Sequence, residues 1–211
     1  MLFIPAPSRI WKGARMRTGK ITRKTRETNI QASIDIDGKG IYEINTGLGF
    51  FNHMLESLCR HGMLDMTLDA SGDVHVDYHH LVEDTGIVLG QLIKQALGDK
   101  KGITRFGQAL IPLDEALAEA IIDISGRPHY ESNLSRFTGE IGQFPMELAD
   151  VFFDGFASMG YTVHLDVRSG KNLHHVVEAT FKAFARALRM ACEQDPRMAG
   201  ILPSTKDHIE S

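Results

Sequence analysis

The chain has 211 residues, 24% of them charged and 43% hydrophobic, and carries a formal net charge of -4. That composition suits one large or two small globular domains and gives no reason to expect nucleic acid or an anionic membrane as partner, so an anionic substrate must be held by locally gathered cations. No apolar stretch approaches the roughly 18 residues a membrane span needs, and Cys59 and Cys192, far apart and without CxxC spacing, fit buried thiols in a reducing cytoplasm.

Residues 1–18, with Trp11 among them, lack the continuous apolar segment of a secretory signal and read as an N-terminal extension ahead of a start at Met16. From Glu27 to Tyr42 polar and apolar residues alternate and then meet a glycine turn at Gly38, the pattern of an opening strand. Phe51 to Gly62 reads as an amphipathic helix closed by a glycine C-cap. A strand over Leu64 to Leu68 follows, then a turn containing Ser71-Gly72, then His79-His80-Leu-Val-Glu83-Asp84 leading into an apolar-faced helix to Leu97. Gly98 to Leu113 reads as a junction, in which Gly102, Arg105 and Gly107 suit either a phosphate-contacting turn or a plain surface loop.

The series then recurs. Glu115 to Tyr130 aligns without a gap on Glu27 to Tyr42, pairing Glu115 with Glu27 and repeating Ile-Asp-Ile-x-Gly. A helix from Ala149 to Gly160, a strand from Thr162 to Val167, a Ser169-Gly170 turn and His174-His175-Val-Val-Glu178-Ala179 complete the second copy, ending in a long helix to Cys192. Strand, strand, helix, strand, helix, twice over, predicts an α+β fold of internally duplicated, layered sheet-and-helix units related by pseudo-twofold symmetry. The first unit spans 19–100 and the second 101–206, with 207–211, including His208, a polar tail.

The repeated signature carries the chemistry. On a helix the first His and the Glu (i, i+4) share one face while the second His points elsewhere, so each copy offers ligands in two directions. Imidazole and carboxylate together suit Mn, Fe, Co or Zn. A single HHxxE is an ordinary solvated helix start; its recurrence at identical spacing is what argues for metal. His75 lacks a repeat counterpart and, as an alternating strand residue, reads as a partner behind the ligands or as merely partly exposed, while His129 and His164 follow or sit in strands and read as facing solvent or a neighbouring subunit.

Thr25-Arg-Glu27-Thr, Phe51-Asn-His53-Met-Leu, His61-Gly, Gly72-Asp-Val-His75-Val-Asp-Tyr-His79-His80, Leu113-Asp-Glu-Ala, Ser125-Gly-Arg127-Pro and Gly170-Lys-Asn-x-His174-His175-x-x-Glu178-Ala-x-Phe-Lys182-Ala together resemble imidazoleglycerol-phosphate dehydratases of the monofunctional form. The resemblance runs from about Lys20 to about Lys206. It implies a hydro-lyase of histidine biosynthesis that dehydrates imidazole glycerol phosphate to imidazole acetol phosphate, working with two Mn2+ per active site. It also implies self-association into a cage of 24 subunits, with active sites between neighbours. Residue by residue, it suggests one metal held by His53, His80, His174 and Glu178, and the other by His79, Glu83 and His175. Substrate contacts fall to Glu27, His61, Arg105, Arg127, Lys182, Ser204, Thr205 and Lys206, where several cations and the arginine fork suit a phosphate dianion.

One position departs from that pattern. Val151 aligns with His53, where many family members carry a histidine that completes the second metal. Water, a Glu147 oxygen one helical turn earlier, or filling only with substrate are the three ways to complete it. The reaction explains why two metals are wanted, because the proton to be removed has no adjacent carbonyl to acidify it. A ring held as imidazolate by metal on both nitrogens can expel the neighbouring hydroxyl, and Glu27, the matching carboxylate not committed to metal, is the candidate acid/base. A dinuclear phosphate-ester hydrolase would call for more Asp ligands, and a metal-storing assembly would leave Arg105, Arg127, Lys182 and Lys206 without a purpose.

Overall fold

The computed structural model describes residues 16–209, so most of the N-terminal extension, Trp11 included, lies outside the described residues. The first unit comprises β1 (Thr18–Lys24), β2 (Thr28–Asp35), β3 (Tyr42–Asn45), α1 (Gly49–Gly62), β4 (Asp65–Gly72) and α2 (His79–Leu97). The second repeats it as β5 (Phe106–Leu113), β6 (Ala116–Asp123), β7 (His129–Ser132), α3 (Glu147–Ala157), β10 (Thr162–Ser169) and α4 (Leu173–Cys192). A short hairpin, β8 (Glu140–Ile141) with β9 (Phe144–Pro145), is inserted before α3.

The two four-stranded sheets have the same order, β1-β2-β4-β3 and β5-β6-β10-β7. All pairs are antiparallel except β3 with β4 and β7 with β10. The duplication and the layered α+β class read from the sequence are therefore what the chain adopts. Alternation explains the sheets: Ile30, Ala32 and Ile34 of β2 and Ala118, Ala120 and Ile122 of β6 face inward, and their neighbours face out. Each unit has one more strand than its pattern announces. β1 and β5 are edge strands whose inward positions include a glycine, so their alternation is faint, and β5 occupies the second half of what reads as a junction. The left-handed cap of α1 is Met63 (φ 56) rather than Gly62, which stays helical and buried. Ser71 and Gly72 lie inside β4, so the turn before α2 begins only at Asp73.

The helices are shared across the repeat and fill the space between the sheets. The long helix of each unit covers its own sheet, α2 on β1 and β2, α4 on β5 and β6. The short helix of each unit instead packs on the long helix of the other, α1 on α4 and α3 on α2. One continuous core results, rich in Phe51, Phe144, Phe152, Phe153, Phe156, Phe181 and Phe184.

Close approach is licensed by glycines at repeat-related points. A Cβ at Gly19 would sit 2.6 Å from the Leu92 carbonyl oxygen, and one at Gly107 only 1.9 Å from that of Ala187. Both obstacles are helix backbone and cannot rotate away. Gly107→Ala is therefore expected to push β5 off α4 and to cost about 1–3 kcal/mol or more. Thermal unfolding checks this, and an unchanged midpoint would refute the packing argument.

Candidate metal and active site

The histidine pairs occupy the first turns of α2 and α4. Asp77 Oδ1 accepts a hydrogen bond from the His79 N–H (2.8 Å), and Asn172 Oδ1 accepts from the His174 N–H (2.9 Å). Both helix starts are thus fixed by a side-chain acceptor, which sets the direction in which each pair projects.

Because α1 packs on α4, His53 is delivered to the His174/Glu178 face. Glu178 Oε2 lies 3.1 Å from His174 Nε2 and 3.7 Å from His53 Nε2. One ligand-type atom from each of the three falls within 4.8 Å of the other two, the one such group among the described residues. Two imidazole nitrogens and a carboxylate at that spacing fit a borderline divalent cation and leave coordination positions open. The i, i+4 geometry expected from the sequence is thus realised on α4.

A basic stretch continues from this cluster along the helix. Lys182 Nζ sits 2.9 Å from Glu178 Oε1. Burial raises the Glu178 pKa, but the Lys182 ammonium, with His53 and His174, outweighs it and leaves the carboxyl below its ordinary value. His61, two turns along α1 from His53, is pushed down by burial and by the charges of Lys182 and Arg186. This end of the seam favours a neutral imidazole and an incoming anion.

The remaining expected ligands lie elsewhere on the chain. His80 turns away to Asp73, its Nδ1 3.1 and 3.2 Å from the two carboxylate oxygens, and its Nε2 is 3.9 Å from Glu27 Oε1. His175 Nδ1 is 2.8 Å from Glu115 Oε2, and its Nε2 is 3.8 Å from Asp114 Oδ2. The carboxylate partners raise the pKa of both imidazoles. His79 and Glu83 lie on α2 against α3, where a Cβ on Gly155 would stand 2.7 Å from the Glu83 carbonyl. The repeat thus puts Val151, one turn before Gly155, where His53 stands on the other seam. Within one chain the His53, His174 and Glu178 cluster on the α1/α4 seam is therefore separate from His79 and Glu83 on the α2/α3 seam.

The candidate phosphate contacts also divide. Arg105, with φ 70, donates from Nε (2.7 Å) and Nη2 (3.1 Å) to Asp123 and from Nη1 to the Pro203 carbonyl (2.7 Å). That last bond holds it beside Ser204, Thr205 and Lys206, and the adjoining Ser125-to-Arg127 turn leaves Arg127 exposed. The Arg105 N–H donates to the Ala191 carbonyl near the end of α4. His174 is in the first turn of that helix, roughly 25 Å away at 1.5 Å per residue. Lys182 and His61 are thus beside the metal-type cluster, while Arg105, Arg127 and the 204–206 run are at the far end.

Three acidic residues escape a reading of the sequence. Asp73 and Glu115 partner the second histidine of each pair. Asp84, buried on α2, accepts from Arg23 and from the Thr28 hydroxyl, and so anchors the turn that carries Glu27. Only Glu115 offered a signal, through its alignment with Glu27.

Comparison with known proteins agrees with this architecture. The family model for imidazoleglycerol-phosphate dehydratase matches residues 46–188. The chain is 52% identical over 195 residues to an imidazoleglycerol-phosphate dehydratase of Methylobacillus flagellatus, covering 92% of this chain and 98% of that protein. It is 54% identical over 191 residues to that of Gluconacetobacter diazotrophicus, covering 90% and 96%. The crystal structure of imidazoleglycerol-phosphate dehydratase from Staphylococcus aureus superposes with a TM-score of 0.76 at 40% identity, covering 84% of this chain and 99% of that one. A duplicated fold with a histidine pair in the first turn of each long helix, and identity of this extent over nearly the whole length of both relatives, lead to one conclusion: the chain belongs to the imidazoleglycerol-phosphate dehydratase family, the hydro-lyases of the dehydration step in histidine biosynthesis.

Proposed function

We propose that the chain dehydrates imidazole glycerol phosphate to imidazole acetol phosphate with two divalent ions per active site, Mn2+ the working metal and Fe, Co or Zn able to substitute, in the cytoplasm. The observation that carries this is the His53, His174 and Glu178 cluster, continued by Lys182 toward a cationic surface. When bound, the two ions would supply electron withdrawal from the substrate's imidazole ring and so ease departure of the neighbouring hydroxyl. The residues of the chain do the rest. His53, His174 and Glu178 hold one ion with His80 of a neighbouring copy, and His79, Glu83 and a neighbour's His175 hold the other. Arg105, Arg127, Lys182, Ser204, Thr205 and Lys206 take the phosphate, and His61 lines the approach. Glu27 moves the carbon-bound proton through its carboxylate.

Self-association is part of the proposal. Within one chain Arg105, Arg127 and residues 204–206 lie at the opposite end of α4 from the metal-type cluster and Lys182, and His80 and His175 turn Nε2 away from that cluster. Both facts call for completion by neighbouring copies, which supports the closed assembly of 24 subunits that the resemblance implies.

Metal removal is the direct test. Protein stripped of metal is expected to have no dehydratase activity and to regain it with added Mn2+; equal turnover with and without metal would overturn the proposal. Val151 supplies a second prediction. With only His79, Glu83 and a neighbour's His175, the second ion has fewer protein ligands than the first, so Val151→His is expected to tighten the weaker of two Mn2+ sites about tenfold or more. A metal titration in which Val151→His leaves the weaker site's affinity unchanged from the wild type would count against that placement.

A further inference from the structure

The two second histidines are held by carboxylates drawn from different places in the repeat. Glu27 and Glu115 occupy equivalent positions, as do His80 and His175. Gly72 and Gly170 are equivalent too, because each packs against the same pair of repeat-related neighbours, Thr28 and Leu81 for one, Ala116 and Val176 for the other. Asp73 therefore corresponds to Lys171. In the second unit the side chain of Glu115 accepts from the Lys171 N–H (3.2 Å), the Asn172 N–H (2.8 Å) and His175 Nδ1 (2.8 Å). In the first unit the Asp73 N–H donates instead to the Glu27 main-chain carbonyl (2.9 Å), and the Asp73 carboxylate takes His80 Nδ1. Glu27 keeps a side chain that is 53% exposed, on the Nε2 side of His80.

The chemistry of the contact decides the tautomer. An ionised carboxylate only accepts, so a ring nitrogen bonded to it must carry the proton. Glu115 Oε1 already accepts from the Lys171 and Asn172 N–H groups, and its Oε2 faces His175 Nδ1, so the carboxylate meets donors on every side. With Nδ1 protonated, the Nε2 lone pair is the one left to bind a cation.

We propose that Asp73 and Glu115 are positioning residues that fix the Nδ1–H tautomers of His80 and His175 and so present Nε2 as the ligating atom. In the first unit Asp73 has taken over the task that Glu115 performs in the second, which leaves the equivalent carboxylate, Glu27, free for proton transfer. The inference rests on the metal-dependent reading above and adds to it the two groups that set ligand direction.

Glu115→Gln is the discriminating variant. Its amide oxygen still accepts from the Lys171 and Asn172 N–H groups, so a purely structural role is preserved. The amide nitrogen then faces His175 Nδ1 as a donor, which forces the proton onto Nε2 and blocks ligation. Mn2+ titration of metal-stripped assembled protein, read by the electron paramagnetic resonance signal of free Mn2+, is expected to show one site weakened about 10–100-fold, with the thermal midpoint of the metal-free protein unchanged. Asp73→Ala is expected to weaken the other site by a similar factor. Wild-type affinity in both variants would overturn the inference and leave the metal-dependent reading standing. A lowered metal-free midpoint in Glu115→Gln with unchanged affinity would make Glu115 structural and also overturn it. If the wild-type protein binds no Mn2+, the metal-dependent reading falls, and the inference with it.

Discussion

Glu27→Gln is expected to lower kcat by about 10²–10⁴-fold, the usual contribution of a positioned general acid or base. The amide is nearly isosteric and keeps an oxygen, so the loss falls on proton transfer rather than on shape. Glu27 has the placement for this role. It lies on a turn secured from two sides, by the Asp73 N–H on its carbonyl and by Thr25 Oγ1 accepting from its own N–H at 3.1 Å. Thr25 pairs with Thr28, and Thr28 donates to buried Asp84. The main chain is thus held while the carboxylate stays clear beside His80 Nε2. Steady-state kinetics should show the fall in kcat with Mn2+ stoichiometry unchanged, and turnover within a few-fold of wild type would remove Glu27 from the mechanism.

Glu178→Gln is expected to weaken one Mn2+ by more than about 100-fold and to abolish turnover at ordinary metal concentrations, exceeding the 10–100-fold typical of an outer partner. Glu178 is the hub of the α1/α4 seam, touching His53, His174 and Lys182 at once. A neutral amide is a poor ligand for a hard cation and a weaker partner for the lysine ammonium. Metal titration together with kinetics at saturating Mn2+ separates the effects: rescue of turnover by excess Mn2+ marks lost affinity, and wild-type affinity in the variant would exclude Glu178 as a ligand. The fold should survive, because Glu178 lies at the rim of the seam and the buried α4 positions around it, Val177, Thr180 and Phe181, are untouched.

Most of the fold was legible because it is written twice. The recurring Ile-Asp-Ile-x-Gly strands, amphipathic helices and HHxxE helix starts exposed the duplication before any tertiary contact was known. The strands that went unread, β1 and β5, lie at sheet edges with Gly19 and Gly107 at inward positions, where small size serves helix contact and dilutes the alternation. Met63 rather than Gly62 adopts the left-handed cap, while a Cβ on Gly62 would stand 3.1 Å from the Leu64 side chain.

The site divides in the same way. Local spacing was enough to place His174 and Glu178 on one face and to turn His175 away, since helix geometry acts within four residues. Glu27 and the cations suited to a phosphate came instead from the resemblance of their motifs to the family. Which histidine joins which pair was decided by packing: α1 crosses to the long helix of the other unit, so His53 meets Glu178, while Val151 falls opposite Glu83. The Asp73 to His80 and Glu115 to His175 contacts likewise depend on how a turn at the end of one strand folds over the start of a helix. Pattern along the chain determined the duplicated α+β fold and the helical His/Glu spacing, and the ordered motifs carried the resemblance to the family. Tertiary structure alone decided that His53 meets Glu178 and which carboxylate lies against each second histidine, because these depend on contacts between residues far apart in the chain, for which no periodicity exists.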